Sequence, residues 1–263
     1  MGRAEGKRAI VTGAGMGIGR AVARSLAREG ARVLVAERDE RAGREVASEI
    51  CDELGGEAEF LRTDVCVKED VLAMVAHAID GMGGADILVN NAWGGGSTER
   101  LERKSDENME HGFRIGLMSS FWAMQAVFPY MRDQGWGRIV NICSLNGVNA
   151  HMYTVEYNTS KEALRTLTRT AAREWARHGI CANAVCPAAA TTSYAAFVKA
   201  SPENAAKLVE ENPMQRMGDP EEDVAPVVIF LASEDARYLT GNTLFVDGGS
   251  HINGVAWAPN LPE

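Results

Sequence analysis

Tyr157 and Lys161 stand four residues apart in the segment Tyr157-Asn158-Thr159-Ser160-Lys161, and Ser144 precedes Tyr157 by thirteen residues. Residues four apart on a helix share one face, so the Lys161 ammonium can stabilise a Tyr157 phenolate. A free phenol has a pKa of about 10, and a neighbouring cation would make Tyr157 a usable proton donor or acceptor near neutral pH. Many helices carry this spacing as a solvated surface pair, so the acid–base interpretation depends on the motifs around it.

A glycine-rich turn, Thr12-Gly13-Ala14-Gly15-Met16-Gly17-Ile18-Gly19, follows the first apolar run of the chain. Where side chains are missing, backbone amides and a helix N-terminus can approach a pyrophosphate. The spacing is Gly-x-x-x-Gly-x-Gly rather than Gly-x-Gly-x-x-Gly, and alone it would be weak evidence. We expect the turn to bind a dinucleotide through Gly13, Gly15, Met16, Gly17, Ile18 and Gly19.

An acidic residue, Glu37, ends the second predicted strand, eighteen residues after Gly19. A carboxylate at this place accepts hydrogen bonds from the adenosine ribose hydroxyls, and it would meet the 2′-phosphate of NADP with like charge. Arg38 could instead hold a 2′-phosphate, or it could be a solvated charge. We expect the cofactor to be NAD, with NADP as the less favoured alternative.

Short apolar runs alternate with longer amphipathic stretches along the whole chain, with no repeat or linker. Runs such as Ala9-Ile10-Val11 and Ile87-Leu88-Val89 are apolar on both faces, as a covered parallel sheet requires. The pattern predicts one α/β domain over residues 1–263, a doubly wound parallel sheet of about seven strands with helices on both faces. We place strands at Arg8–Val11, Arg32–Ala36, Glu59–Arg62, Ile87–Asn90, Arg138–Ile142, Cys181–Val185 and Leu244–Val246. Helices are expected at Gly17–Arg28, Glu40–Leu54, Glu69–Asp80, Asp106–Met131, Glu156–His178 and Glu221–Ala232.

Composition narrows the class of protein. The 263 residues carry a net charge of -9, which argues against a nucleic-acid surface because that would need clustered cations. We expect neither a signal peptide nor a membrane span, and hence a cytoplasmic protein. The five cysteines form no Cys-x-x-Cys pair, which is typical of reduced, buried thiols, and no metal site is expected.

Taken with these motifs, the chain resembles the classical short-chain dehydrogenase/reductase family over essentially its whole length. Asp64-Val65 matches the family's adenine-contacting pair, Asn90-Asn91-Ala92 matches the start of its Asn-Asn-Ala-Gly stretch, and Phe245-Val246-Asp247-Gly248-Gly249 matches its last strand and turn. The resemblance implies hydride transfer between nicotinamide and a carbinol carbon, a homotetramer or homodimer, and these roles for side chains. Tyr157 would exchange the hydroxyl proton, Ser144 would bind the substrate oxygen, and Lys161 would lower the tyrosine pKa and bind the nicotinamide ribose. Further cofactor contacts are implied for Asp64, Val65, Asn91, Ala92, Pro187 and Thr192.

Three positions depart from the family pattern. Gly116 stands where the family carries an asparagine that holds a water behind the lysine; a water on main-chain groups, Ser119 or Ser120 could replace it, or proton exchange could be slow. Trp93 replaces the glycine of Asn-Asn-Ala-Gly, as a pocket wall or as plain packing. Pro187-Ala188 replaces a Pro-Gly pair.

Residues 188–218 form a long insertion before the last helix, and such insertions beside an active site often act as lids. Its apolar residues favour an alicyclic, aromatic or steroid-like alcohol or ketone as substrate. We expect the tail, residues 251–263, to pack on a neighbouring subunit. A dinucleotide-binding protein with little catalysis is the alternative; a hydrolase is weaker because Cys143-Ser144-Leu145 is no Gly-x-Ser-x-Gly elbow. Candidate pocket residues are Trp93, His151, Met152, Tyr194 and Phe197.

Overall fold

The computed structural model describes residues 2–252, so the predicted packing of the tail falls mostly outside the described residues. Seven parallel strands form one sheet in the order β3-β2-β1-β4-β5-β6-β7. This confirms the predicted doubly wound fold. The strands are β1 (Arg8–Thr12), β2 (Arg32–Glu37), β3 (Glu57–Arg62), β4 (Ile87–Asn90), β5 (Gly137–Ile142), β6 (Ile180–Pro187) and β7 (Thr243–Val246).

Helices connect the strands and cover both faces of the sheet. The α-helices are α1 (Gly17–Arg28), α2 (Glu40–Asp52), α3 (Lys68–Ala76), α4 (Asp106–Phe113), α5 (Ser119–Gln134), α6 (Leu145–Val148), α7 (Val155–Trp175), α8 (Thr192–Ala200), α9 (Pro202–Glu210) and α10 (Ala225–Ala232). Three π-helical turns, His77–Gly81, Arg114–Met118 and Pro220–Val224, adjoin α3, join α4 to α5, and precede α10.

Alternate residues of each strand supply the two halves of the core, because successive side chains of a strand point to opposite faces. On β1, Ala9 and Val11 pack with α1, α2 and α10, whereas Ile10 packs with α3, α5 and α7. Both sides are buried, and this explains why the strands are continuous apolar runs.

The insertion before the last helix folds into α8 and α9. Ser201 precedes Pro202 at the start of α9, where proline is well tolerated because its missing N–H would have no partner inside the helix. The Asp219 side chain accepts from the N–H groups of Glu221 and Glu222 and so caps the π-helical turn that precedes α10.

Candidate active site

A cavity of about 780 Å³ lies at the carboxyl ends of the strands, beside the junction of β1 and β4. At this junction the strand order reverses, and open α/β sheets leave a ligand crevice at such a point. The cavity is lined from the turn after β1, from the ends of β2 to β6, and from α7 and the start of α8.

The turn after β1 has backbone conformations that favour glycine. Gly13 and Gly17 have φ values of 63° and 54°, where an L side chain is disfavoured. A Cβ on Gly19 would lie 2.1 Å from the carbonyl oxygen of Gly13. Met16 is at the N-cap position of α1, and its side chain accepts no hydrogen bond from the first turn. The N–H groups at the start of α1 therefore face the cavity without a side-chain acceptor from the N-cap residue. This is the arrangement that a pyrophosphate needs.

Asn91 fastens this turn to the end of β4. Its side-chain amide donates to the carbonyl oxygens of Thr12, at 2.9 Å, and Gly13, at 3.0 Å. The Thr12 hydroxyl in turn accepts from the N–H groups of Asn91 and Ala92. The predicted contacts Asn91 and Ala92 therefore line the cavity on one rigid unit with the glycine turn.

Glu37 lies at the end of β2 and lines the cavity there. Its carboxylate accepts from three backbone N–H groups, those of Gly15, Arg38 and Asp39, at 3.1, 2.8 and 3.0 Å. A Cβ on Gly15 would approach the Glu37 side chain to 2.8 Å, so the missing side chain at Gly15 leaves room for Glu37. Arg38 is exposed and also lines the cavity.

The remaining predicted cofactor residues line the same cavity: Met16, Ile18, Asp64, Val65, Pro187 and Thr192. Asp64 is held in place after β3, where its N–H donates to Asp70 and its carboxylate accepts from the N–H of Cys66. The hydroxyl of Thr192, at the start of α8, faces the sulfur of Met16 at 3.6 Å. These residues and the glycine turn together fit a nicotinamide dinucleotide lying along the strand ends.

Tyr157 and Lys161 lie on α7 and line the cavity beside the end of β5. The Lys161 ammonium donates to the carbonyl of Ile142 at 2.8 Å and lies 5.8 Å from the centre of the Tyr157 ring. Ser144 is the N-cap residue of α6, where its hydroxyl accepts from the N–H of Asn146, and it lies near enough to Tyr157 to lower the pKa of the phenol. The structure thus brings the three predicted catalytic residues together.

Burial shifts the pKa values of the titratable side chains in the site. It raises the pKa of the Tyr157 phenol, and the hydrogen bond with Ser144 opposes the rise. Burial also lowers the pKa of Lys161. In the structure the Lys161 ammonium donates to the Ile142 carbonyl, and the lowering of the tyrosine pKa by Lys161 stays a prediction. Cys143 lines the cavity, but burial raises its pKa to about 12, which makes it an inert thiol.

Gly116 lies in the π-helical turn that joins α4 to α5 and faces α7. A Cβ there would stand 2.5 Å from the Ser160 hydroxyl and 2.9 Å from ring carbon Cζ3 of Trp93. The expected main-chain-bound water therefore has no space in that direction. Ser119 does not replace the asparagine either, since its hydroxyl donates to the carbonyl of Ile115 on its own helix at 2.6 Å.

A buried ion pair beside the site was not predicted. Lys104 Nζ lies 2.8 Å from Glu156 Oε2, and each side chain is only 2% exposed. Lys104 also donates to the carbonyl of Ser97, and Glu156 accepts from the Ser97 N–H. The pair ties the loop after Trp93 to the helix of Tyr157. Its partners lie 52 residues apart, and no local spacing links them.

Among the predicted pocket residues, Trp93 alone lines the cavity. His151 and Met152 lie in the loop before α7 and are exposed, Met152 by 71%. Tyr194 and Phe197 are on α8; Tyr194 contributes to a separate groove between α8 and α9, and Phe197 is 36% exposed. The contact of these four residues with substrate stays a prediction.

Residues of the cavity wall that sequence reasoning missed are Asp39, Thr63, Gly94, Gly95, Gly96, Ser97, Thr98, Ile115, Ile142, Thr154, Glu156, Ala189, Thr191 and Ser193. The glycine run after Trp93 was the one visible signal for this wall. Within residues 2–252, no cluster of His, Cys, Asp and Glu is arranged to hold a metal ion. No helix in the same range is both long and apolar enough to cross a membrane.

Known proteins resemble this chain over nearly all of its length. Residues 13–251 match a family model described as Enoyl-(Acyl carrier protein) reductase. The 7alpha-hydroxysteroid dehydrogenase of Escherichia coli (strain K12) is 35% identical over 247 residues, which cover 94% of this chain and 95% of the relative.

Two solved structures share the fold closely. A 7 alpha-hydroxysteroid dehydrogenase complexed with NADH and 7-oxo glycochenodeoxycholic acid has a TM-score of 0.89 and 34% identity, covering 94% of this chain and 95% of that one. A gluconate 5-dehydrogenase from Burkholderia cenocepacia J2315, in complex with NADP and tartrate, has a TM-score of 0.88 and 34% identity, covering 96% and 98%. Family match, identity and geometry agree: the chain belongs to the short-chain dehydrogenase/reductase family of oxidoreductases.

Proposed function

We propose that this protein transfers a hydride between NAD(H) and a secondary alcohol or ketone. The observation that carries the proposal is the shared cavity: Tyr157 and Lys161 line one end, and Gly13 and Glu37 line the other. A dinucleotide lying along it would bring its nicotinamide beside the Tyr157 hydroxyl.

In this proposal the cofactor supplies the hydride acceptor or donor at the nicotinamide, and the protein supplies orientation and a matched acid–base group. During alcohol oxidation Tyr157, as phenolate, takes the hydroxyl proton of the substrate while the carbinol hydrogen leaves as hydride. Ser144 holds the substrate oxygen, and Lys161 supports the phenolate and binds the nicotinamide ribose. Ketone reduction runs through the same contacts in reverse.

The substrate we propose is a bulky neutral alcohol or ketone of the alicyclic, aromatic or steroid-like class. Trp93, Ile115 and Ala189 supply apolar wall on this side of the cavity, and the glycines 94–96 leave it wide. The nearby cation, Lys104, is already paired with Glu156, so it is not free for a substrate carboxylate. The hydroxysteroid dehydrogenase relative supports the same class.

NAD is the proposed cofactor in preference to NADP. The Glu37 carboxylate is held by three backbone N–H groups, so it cannot turn away from a 2′-phosphate without leaving those donors unpaired. Loss of such pairing costs on the order of 3 kcal/mol, which corresponds to a preference of about 10² in kcat/KM. Equal use of both cofactors would instead assign the dominant contact to Arg38.

A cytoplasmic location and a homotetramer or homodimer complete the proposal. All five cysteines are free thiols, which supports a reducing compartment. Light scattering of the purified protein would measure the assembly.

The test is an NADH fluorescence titration combined with a substrate panel of cyclohexanol, a benzylic alcohol, a hydroxysteroid and gluconate. We expect turnover with a neutral bulky alcohol, at a kcat/KM at least about tenfold above that for gluconate. Tyr157→Phe keeps the ring but removes the proton, so it should lower kcat about 10²- to 10⁴-fold with NADH affinity unchanged. NADH binding without turnover of any alcohol or ketone would favour a binding protein with little catalysis.

A further inference from the structure

The Trp93 ring packs against Tyr157 and lies close to the Lys161 ammonium. Its ring meets the Tyr157 ring edge to face, with the centres 4.6 Å apart and the planes at 66°. The Lys161 Nζ lies 5.6 Å from the centre of the Trp93 ring, within the range at which a cation is attracted to an aromatic face.

Lys161 needs such a neighbour because the protein offers it little else. Its residue is 3% exposed, and within residues 2–252 its ammonium donates to one acceptor, the Ile142 carbonyl. A buried ammonium without a carboxylate partner loses its charge easily. In the part of the chain that the structure describes, the titratable groups near it are Tyr157 on α7 and the thiols of Cys143 and Cys186 at the ends of β5 and β6.

The position of the Trp93 ring depends on Gly116. The π-helical turn brings Gly116 against α7, and the ring edge stands where a side chain at 116 would begin, with Cζ3 2.9 Å from the ideal Cβ. Gly96 borders the ring on another side, its ideal Cβ lying 3.3 Å from Cζ2. The two departures from the family pattern, at 93 and 116, are therefore spatially coupled: the indole fills the space that the glycine leaves.

We propose that Trp93 is a positioning residue that holds Lys161 in its charged form and fixes the Tyr157 ring, and that the missing side chain at Gly116 leaves the space for the Trp93 ring. The proposal rests on the proposed function for its kinetic consequence, but it concerns the state of Lys161 in the protein alone. Removing the aromatic face should lower the Lys161 pKa further and raise that of Tyr157, because the phenolate would lose its cation.

The first experiment reads Lys161 directly, without cofactor or substrate. Protein carrying lysine labelled with ¹³C at Cε is titrated by NMR, and the Lys161 signal is identified by its loss in Lys161→Arg. We expect Trp93→Leu to lower the titration midpoint by about one pH unit and Trp93→Phe, which keeps an aromatic ring, to lower it less. Trp175→Leu removes an indole that packs on Phe128 instead and should leave the midpoint in place. A midpoint unchanged in Trp93→Leu would overturn the proposal.

The second experiment follows kcat against pH. For Trp93→Leu we expect kcat at the optimal pH to fall about tenfold and the active pH range to become narrower at both ends. A loss of packing alone would lower kcat at every pH without narrowing that range. Gly116→Asn should lower kcat about 10²-fold or more. The double variant Trp93→Gly with Gly116→Asn should have a kcat at least tenfold above that of Gly116→Asn alone. The coupling is refuted if the kcat loss of the double variant equals the product of the losses in Trp93→Gly and Gly116→Asn measured singly. Wild type without turnover would refute the proposed function alone, since the NMR titration still decides the role of Trp93.

Discussion

The buried ion pair between Lys104 and Glu156 gives the sharpest stability prediction. In Lys104→Met, the Glu156 carboxylate keeps the Ser97 N–H but loses its cation while its side chain stays 2% exposed. Removal of one partner of a buried pair costs about 3–5 kcal/mol. For a chain of this size each kcal/mol moves the melting temperature by about 2–4 °C. We therefore expect a decrease of roughly 10 °C, and urea unfolding followed by circular dichroism would measure the free energy itself.

Two controls separate the buried charge from general damage. Arg44→Met breaks the exposed pair with Glu40, whose side chains are 66% and 58% exposed, and should cost under about 0.5 kcal/mol. Lys104→Met combined with Glu156→Leu removes both charges and should recover more than half of the loss. A cost below about 1 kcal/mol for Lys104→Met, or a double variant no more stable than the single one, would contradict a stabilising role of the paired charge.

The same pair has a defined pH dependence. Burial raises the pKa of Glu156, but hydrogen bonds from Lys104 and the Ser97 N–H outweigh it, so the pKa lies below its ordinary value of 4.5. A carboxyl whose pKa is depressed by folding stabilises the protein above its unfolded pKa and loses that contribution as the pH falls through the folded one. The stability difference between wild type and Glu156→Gln should therefore shrink below about pH 4.5. A difference that is constant down to pH 3 would contradict the direction of the shift.

Three further changes have expected outcomes. Glu37→Ser should lower the NAD-over-NADP ratio of kcat/KM about 10²-fold, and a ratio within threefold of wild type would count against the three-amide anchor. Gly112→Ala should cost about 1–3 kcal/mol in urea unfolding, because the new Cβ would lie 2.7 Å from a Cβ of α7; Gly94→Ala, with no heavy atom within 4 Å, is its control. A thiol reagent at pH 8 should modify the exposed Cys51 but not Cys143, whose pKa is raised to about 12, and rapid loss of both thiols would show that the site opens.

The strands could be predicted to within two residues at their ends because their signal is local. Continuous apolar runs such as Ile87-Leu88-Val89 need no partner to be recognised. The π-helical turn at Arg114–Met118 could not be found in this way, since periodicity predicted one uninterrupted helix there. Its geometry is tied to the close contact of Gly112 and Gly116 with α7, a contact between segments distant in the chain.

The residues of the site also differ in whether a local sequence pattern is enough to predict them. Tyr157 and Lys161 were recognisable from a spacing of four, and the glycine turn from consecutive positions. Trp93 and Gly116 were both noticed as departures, but their contact across 23 residues was not expected, because each position was judged separately. His151 was selected because its loop borders the pocket in the family, and its contact with substrate stays a prediction because a place in a loop does not say on which side the side chain lies.

Asn91 has a consequence for engineering this protein. One side-chain amide fastens the glycine turn through two carbonyl oxygens, and the same short stretch continues through Ala92 to Trp93. An exchange of the turn intended only to accept another dinucleotide would therefore shift the indole as well, and alcohol selectivity would change with it. The two traits are not modular in this chain, and a library that aims to alter either should randomise the turn and position 93 together.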